Sequence, residues 1–238
     1  MASQLVRIRE IGGLYFLEKL IECVPNFSEG RDKNTIKQIT QAIAGVAGAH
    51  VLNVDAGIDA NRTVVTFVGN ESAVLEASFK GIEKASQVID MAQHSGEHAR
   101  IGATDVCPFV PLHNATMTDC VQLAQSLGQR VGQELSIPVY LYENAAQNPS
   151  NKNLAVIRKG QYEGLKDKLK APDWKPDFGP AAYNAKSGAT VIGARTILVA
   201  FNVNLETKDV KIAKKIAARV RESGYMTKDV NGNPVRVP

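Results

Sequence analysis

"HVLNVDAGIDANRTVVTFVG" runs from His50 to Gly69 and contains two β-branched runs, His50–Gly57 and Arg62–Gly69. Valine and threonine fit a pleated, half-buried surface, and the Gly/Asp/Asn-rich bend between the runs predicts a hairpin. On the upstream side, "LIECVPNF" (Leu20–Phe27) is a short apolar run stopped by Pro25, which reads as a strand ending in a turn. Ile36, Ile39 and Ile43 then recur at helical spacing, with Gly45 as a stop. Downstream, residues 70–93 form a long amphipathic pattern that Asn70 or Ser72 can cap. "TDVCPFVPL" (Thr104–Leu112) reads as a strand broken by Pro108 and Pro111. The order is therefore β-α-β-β-α-β, the split βαβ arrangement called ferredoxin-like. The fold class expected is α+β, an α/β sandwich with helices on one face of a sheet. An added helix (Met117–Leu135) and strand (Ile137–Tyr142) extend it.

From Gln147 to Lys186 the periodicity weakens, and prolines at 149, 172, 176 and 180 mark a long connection. Arg195–Leu205 then reads as a strand, and Thr207–Ser223 as a helix capped by Thr207 and closed at Gly224. A second unit is thus expected from residue 179, with one strand and one helix before Pro238. The division that follows is an extension of unassigned role (residues 1–19), a main subdomain (20–178) and an incomplete second α/β subdomain (179–238).

The chain has 238 residues, 44% hydrophobic and 22% charged, the balance of a soluble globular protein. A net charge of +4 without a dense Lys/Arg run argues against nucleic acid and leaves room for a cleft that takes acidic small molecules. The three cysteines (Cys23, Cys107, Cys120) include no C-x-x-C pair, so free thiols in a reducing cytosol are expected. "IGGLYFL" (Ile11–Leu17) is too short to span a bilayer and has no small-residue cleavage site behind it, so neither a membrane nor secretion is expected. The expected location is the cytoplasm.

Chemistry concentrates in "MAQHSGEHARIGATDVCPF" (Met91–Phe109). His94 to His98 spells H-x-x-E-H, a zinc motif when both imidazoles share one face of a continuous helix. Gly96 costs such a helix about 1 kcal/mol relative to alanine, and no third ligand is evident, so zinc is the weaker reading. His98, flanked by Glu97 and Arg100 at a helix-to-strand junction, suits proton transfer at neutral pH. Asp55 and Arg62 bracket the hairpin bend, where Asp55, Gly57 and Asn61 also serve as turn formers. "PNFSEGRD" (Pro25–Asp32) resembles a strand-to-helix turn whose amides could receive an anion.

Taken together, "ECVPNFSEGR", "VDAG…NRTVVTFVG", "HSGEHARIGATDVCPFVPL", "PVYLYENAAQ", "PDFGP" and "GATVIGAR…LVAFNVNL" resemble the glutamate formimidoyltransferase family in order and spacing. The likeness runs from about Ile21 to at least Gly224. It implies transfer of a formimino group from N-formimino-L-glutamate to tetrahydrofolate, in histidine breakdown and one-carbon metabolism. It also implies two α/β subdomains flanking a folate crevice, and a homodimer. The family's catalytic histidine, in a G-E-H-x-R context, maps to His98. Its folate-contacting stretch maps to Gly179, Pro180, Ala181, Ala182, Tyr183, Asn184, Ala185, Lys186, Ser187 and Gly188.

That reaction fits the residue types. A secondary amine of the reduced pterin attacks an amidine carbon, loses a proton, and displaces a glutamate nitrogen that gains one. One histidine can serve both transfers. Asp55 and Glu97 are candidates to face a cationic amidine, with Asp105 a weaker one, and Arg62, Arg100 and Arg195 are candidates for substrate carboxylates. Tetrahydrofolate is the expected co-substrate, and the chemistry calls for no metal. Two other readings remain at this point. One is a folate-binding module without turnover, and the other is a zinc hydrolase using His94 and His98.

Overall fold

The computed structural model describes residues 18–199, 203, 205–220, 225–228 and 234–237. The apolar run at Ile11–Leu17 lies outside them. The chain divides into two units, Met1–Ile197 and Leu198–Pro238.

In the first unit the apolar run at residue 20 becomes two short strands, β1 (Leu20–Cys23) and β2 (Asn26–Phe27). The gap between them still bonds both neighbours, since Val24 N donates to the Pro108 carbonyl at 3.2 Å and Val65 N to the Pro25 carbonyl at 3.0 Å. Helix α1 (Lys33–Ala44) starts where the Asp32 side chain accepts from Asn34 N, and buries Thr35, Ile39 and Ile43 at four-residue intervals. The hairpin forms as β3 (His50–Gly57) and β4 (Arg62–Gly69), in register at Gly57–Arg62, with Asn61 in the left-handed region at φ 46°.

Helix α2 (Glu71–Val88) is capped by Asn70. It is shorter than the pattern to residue 93 implies, because Ile89 is extended and Asp90 caps a separate helical turn at Met91–Gln93. Strand β5 (Thr104–His113), helix α3 (Met117–Glu134), strand β6 (Val139–Glu143) and strand β7 (Thr190–Ala194) follow.

The strands lie in the order β3-β4-β1/β2-β5-β7-β6. Pairing is antiparallel from β3 to β5, and parallel for β5–β7 and β6–β7. This is a mixed α/β architecture with one central sheet and helices packed on it.

Three expectations change. Pro108 and Pro111 do not break β5, because the Pro108 carbonyl still accepts, and it faces the gap between β1 and β2. The division expected after Phe178 falls inside the first unit, because β7 inserts between β5 and β6 and completes their parallel ladder. The strand expected at Arg195–Leu205 is absent from residues 195–199, and part of it lies outside the described residues.

The second unit holds helix α6 (Val210–Val220) and two antiparallel strands, β8 (Tyr225–Lys228) and β9 (Pro234–Val237). Thr207 Oγ1 accepts from Asp209 N, and Asp209 Oδ1 from Lys211 N, so the helix begins later than expected. The expected stop at Gly224 lies outside the described residues.

The two sheet faces follow strand alternation. One face packs Ile21, Phe67, Phe109 and Ile192 against α1, α2 and α3, with Phe79 and Leu127 from the helices. Cys23 Sγ lies there 3.5 Å from Cys107 Sγ and 3.2 Å from Ser78 Oγ, all buried. On the other face, residues 149–174 cover β5, β7 and β6. That segment includes the short helices α4 (Leu154–Ile157) and α5 (Leu165–Lys168), which bury Ile157 and Leu165 with Tyr140 and Val191. The Tyr140 hydroxyl donates to the Trp174 carbonyl at 2.8 Å. Over β3, β4 and β1 this face is more open: Asn53 and Asp55 are exposed, and Glu22, Arg62, Val64 and Thr66 are half-buried.

Candidate active site at the open sheet face

Where the covered and open halves meet, four strands or loops bring polar groups together. Arg62 opens β4, Asn26 lies in β2, Asp105 lies in β5, and His98 sits in the loop leading into β5. One nitrogen of Arg62 serves two acceptors, with Nη1 2.7 Å from Asn26 Oδ1 and 3.0 Å from His98 Nε2. A guanidinium only donates, so Nε2 accepts and the imidazole is neutral with its proton on Nδ1. Nδ1 itself is buried without a hydrogen-bond partner.

Burial, foremost, holds the His98 pKa below its usual value, and the Arg62 and Arg158 guanidiniums add to this. Asp105 and the Ala99 backbone pull the other way. Asp105 is fully buried, accepts from Ile101 N at 3.0 Å, and is ion-paired with Arg158 at the end of α4. Burial and the neighbouring Arg158 also lower the Arg62 pKa, opposed by Asp105 and Asp55. The result is a neutral base at the edge of an open, partly cationic surface.

His94 has a different task. Its Nδ1 accepts from Arg100 Nε at 3.2 Å, so Nε2 carries the proton and donates to the Asn61 carbonyl at 2.9 Å. Asn61 in turn accepts from Gly30 N and donates to the Ser95 carbonyl. Both nitrogens of His94 are therefore spent on tying loops together. Residues 94–98 are not helical, so the two imidazoles lack the shared helix face that the zinc motif needs. Among the described residues, no three His, Cys, Asp or Glu side chains converge as a metal site.

The chain matches the model of the formiminotransferase domain, N-terminal subdomain, over residues 20–195. It is 52% identical over 204 residues to the glutamate formimidoyltransferase of Thermoplasma acidophilum, covering 85% of this chain and 67% of that one. The chain belongs to the formiminotransferase family.

A second glutamate formimidoyltransferase, from Streptococcus pyogenes serotype M1, is 44% identical over 208 residues, covering 87% of this chain and 70% of that one. The formimidoyltransferase-cyclodeaminase of Rattus norvegicus is 51% identical over 209 residues, but the match covers only 38% of its length. Within this formiminotransferase subdomain, residues 179–188 run from the end of the covering segment to the His98 loop. Tyr183 packs on Tyr162 with ring centroids 5.8 Å apart, and the Tyr162 hydroxyl donates to the Ala185 carbonyl. The Lys186 and Ser187 carbonyls accept from Met91 N and Ala103 N. Gly188 has φ +67°, and a Cβ there or on Gly102 would strike facing backbone. Residues 179–182, 185 and 186 remain exposed.

The remaining candidates separate. Asp55 is exposed on the open face and acts on Arg62 electrostatically. Glu97 is exposed, with its backbone N bonded to the Asp59 carbonyl. All five donors of Arg100 are engaged, by His94, Gln161 and Glu163, which leaves none for a substrate carboxylate. Arg195 bonds the Phe109 carbonyl through its backbone N, and roughly 13 Å of strand separates Phe109 from Asp105. Nor are the amides of "PNFSEGRD" open to an anion, since Asn61 takes Gly30 N and Glu29 takes Arg31 N and Asp32 N. Sequence reasoning missed Asn26, Arg158 and Glu163. Asn26 was visible only as part of an apparent turn, and the other two lie in a stretch without periodicity.

Proposed function

We propose that this chain carries the base-bearing part of a transferase that moves a formimino group from N-formimino-L-glutamate to tetrahydrofolate, in histidine degradation. The products are 5-formiminotetrahydrofolate and L-glutamate. The observation that carries the reading is His98, neutral and lodged against Arg62 on an open sheet face, in a chain whose relatives are named glutamate formimidoyltransferases.

In this reading the pterin secondary amine adds to the amidine carbon and gives its proton to His98 Nε2. The protonated imidazole then returns that proton to the glutamate nitrogen as the carbon–nitrogen bond breaks. Asp55 faces the cationic amidine, and Gly179–Gly188 line the pterin side. The antiparallel order β3-β4-β1/β2-β5, with α1 and α2 as crossovers, supports a split βαβ, ferredoxin-like core. A cytoplasmic homodimer belongs to the same reading, and sedimentation tests the dimer.

The test is to mix purified chain, N-formimino-L-glutamate and tetrahydrofolate and follow release of L-glutamate. Release that disappears in His98→Ala supports the reading. A second reading, a folate-binding module without turnover, is favoured by Arg62 Nη1 lying on the Nε2 lone pair of His98. Tight binding of tetrahydrofolate with no glutamate release would select it.

A further inference from the structure

His98 cannot act as a base in the arrangement described, because the lone pair on Nε2 is already occupied. Arg62 Nη1 spends one hydrogen on that lone pair and the other on Asn26 Oδ1. Among the described residues no hydrogen bond engages Nε or Nη2 of Arg62, and this is an edge of the guanidinium that can grip a carboxylate with two parallel bonds. The side chain is half-buried and lies on the open half of the sheet, so that edge is within reach of a small molecule. Arg100 shows the opposite case, with every donor taken.

We propose that Arg62 is a carboxylate-operated cover on His98, which holds Nε2 until a substrate carboxylate engages its open edge and then releases that nitrogen as the base. This rests on the reading of His98 as the proton acceptor, and it makes Arg62 a positioning and specificity residue for that step. The groups that face His98 support it. Arg62 on β4 and Arg158 after α4 disfavour imidazolium, whereas Asp105 on β5 favours it. Asp55 on β3 acts on Arg62, and Glu97 lies exposed in the histidine's own loop.

Arg158 is neutralised by its pair with Asp105, so Arg62 is the cation left to be balanced by a ligand. A bound carboxylate offsets its charge and makes His98 more basic as it becomes free. An amidine without a carboxylate would leave the cover in place, so substrates are selected by an anionic group remote from the reacting carbon.

The experiment uses the 15N-labelled chain, with His98 assigned by comparison with His98→Gln. Its tautomer and titration are followed by NMR with glutarate, with L-glutamate, and with neutral glutaramide at matched ionic strength. Without additive, His98 should show a protonated Nδ1, a bare Nε2 and a midpoint below 6.5. Glutarate and L-glutamate should raise that midpoint by about one pH unit, and glutaramide should leave it unchanged. In Arg62→Met the midpoint should already be raised and indifferent to glutarate. A wild-type midpoint that ignores glutarate, or responds equally to glutaramide, overturns the proposal, and this holds even if Arg62→Met fails to fold. Formimino transfer is measured separately. A chain that shows the shift but transfers nothing keeps this inference and loses the transferase reading, and the reverse result loses the inference alone.

Discussion

The two faces of the sheet come from the same strands, one residue out of step, and they serve opposite ends. Along β4, Thr63, Val65 and Phe67 are buried, with Val65 and Phe67 in the core against the helices, while Arg62, Val64 and Thr66 look onto the open side. Along β4 side chains alternate, so parity there separates the residues that hold the fold from those available for chemistry. Register shifts at Val51/Asn53 of β3 and at Asn26/Phe27 of β2, opposite Thr104 and Val106, offset that parity in the neighbouring strands. The lesson is that a substitution's consequence in these strands depends first on which face its register gives it and only then on residue type.

Several experiments press on that division. The largest effect is expected at His98, where alanine should lower formimino transfer by about 10²- to 10⁴-fold with little change in thermal unfolding. A collapse of the fold in that variant would break the division. On the helix face, Phe109→Ala should cost about 3–5 kcal/mol in urea denaturation, without moving the titration of His98.

Asp105 belongs to both tasks. Asp105→Ala leaves Arg158 as an uncompensated, largely buried charge and should cost about 3 kcal/mol. Because Asp105 raises the His98 pKa, its removal should also move that histidine's NMR midpoint further down. The pH profile sharpens the picture. With the His98 pKa held below its usual value, kcat/KM should persist below pH 6.5 and fall only as the pH drops through the lowered midpoint. An acid limb above 6.5 would count against His98 as the base. The smallest effect is expected at Lys19, whose bonds to Glu71 and Asp119 lie at the surface. Lys19→Ala should leave the melting curve unchanged within error.

Much of the architecture was legible because its early elements carry strong local signals. The hairpin, the Asn70 cap and the start of α3 at Met117 all sit where sequence rules put strand and helix ends. Strand β7 was not nominated from the sequence, because Gly193 interrupts its short apolar run. Gly193 is there because a Cβ would strike the Tyr142 ring on the adjacent strand. The apolar alternation that begins at Arg195 forms no strand over residues 195–199, since periodicity cannot say whether a ladder partner exists.

At the site, His98 and Arg62 could be nominated from local context. The contact between them could not, since it spans 36 positions and depends on how the hairpin meets the histidine loop. Arg158 was invisible for the same reason. Its importance comes from Asp105, 53 positions away, and nothing in "LAVIRKG" announces a partner.

The buried thiols have a practical consequence. Cys23, Cys107 and Cys120 are the only cysteines in the sequence, and all three are inaccessible in the folded first unit. Burial raises the pKa of Cys23, and that of Cys120 to about 12, so neither of these two offers much reactive thiolate while the sheet is intact. Iodoacetamide added to the native protein should therefore label it only as fast as the sheet core opens. The mass gained over time would serve as an unfolding clock, readable without any engineered probe.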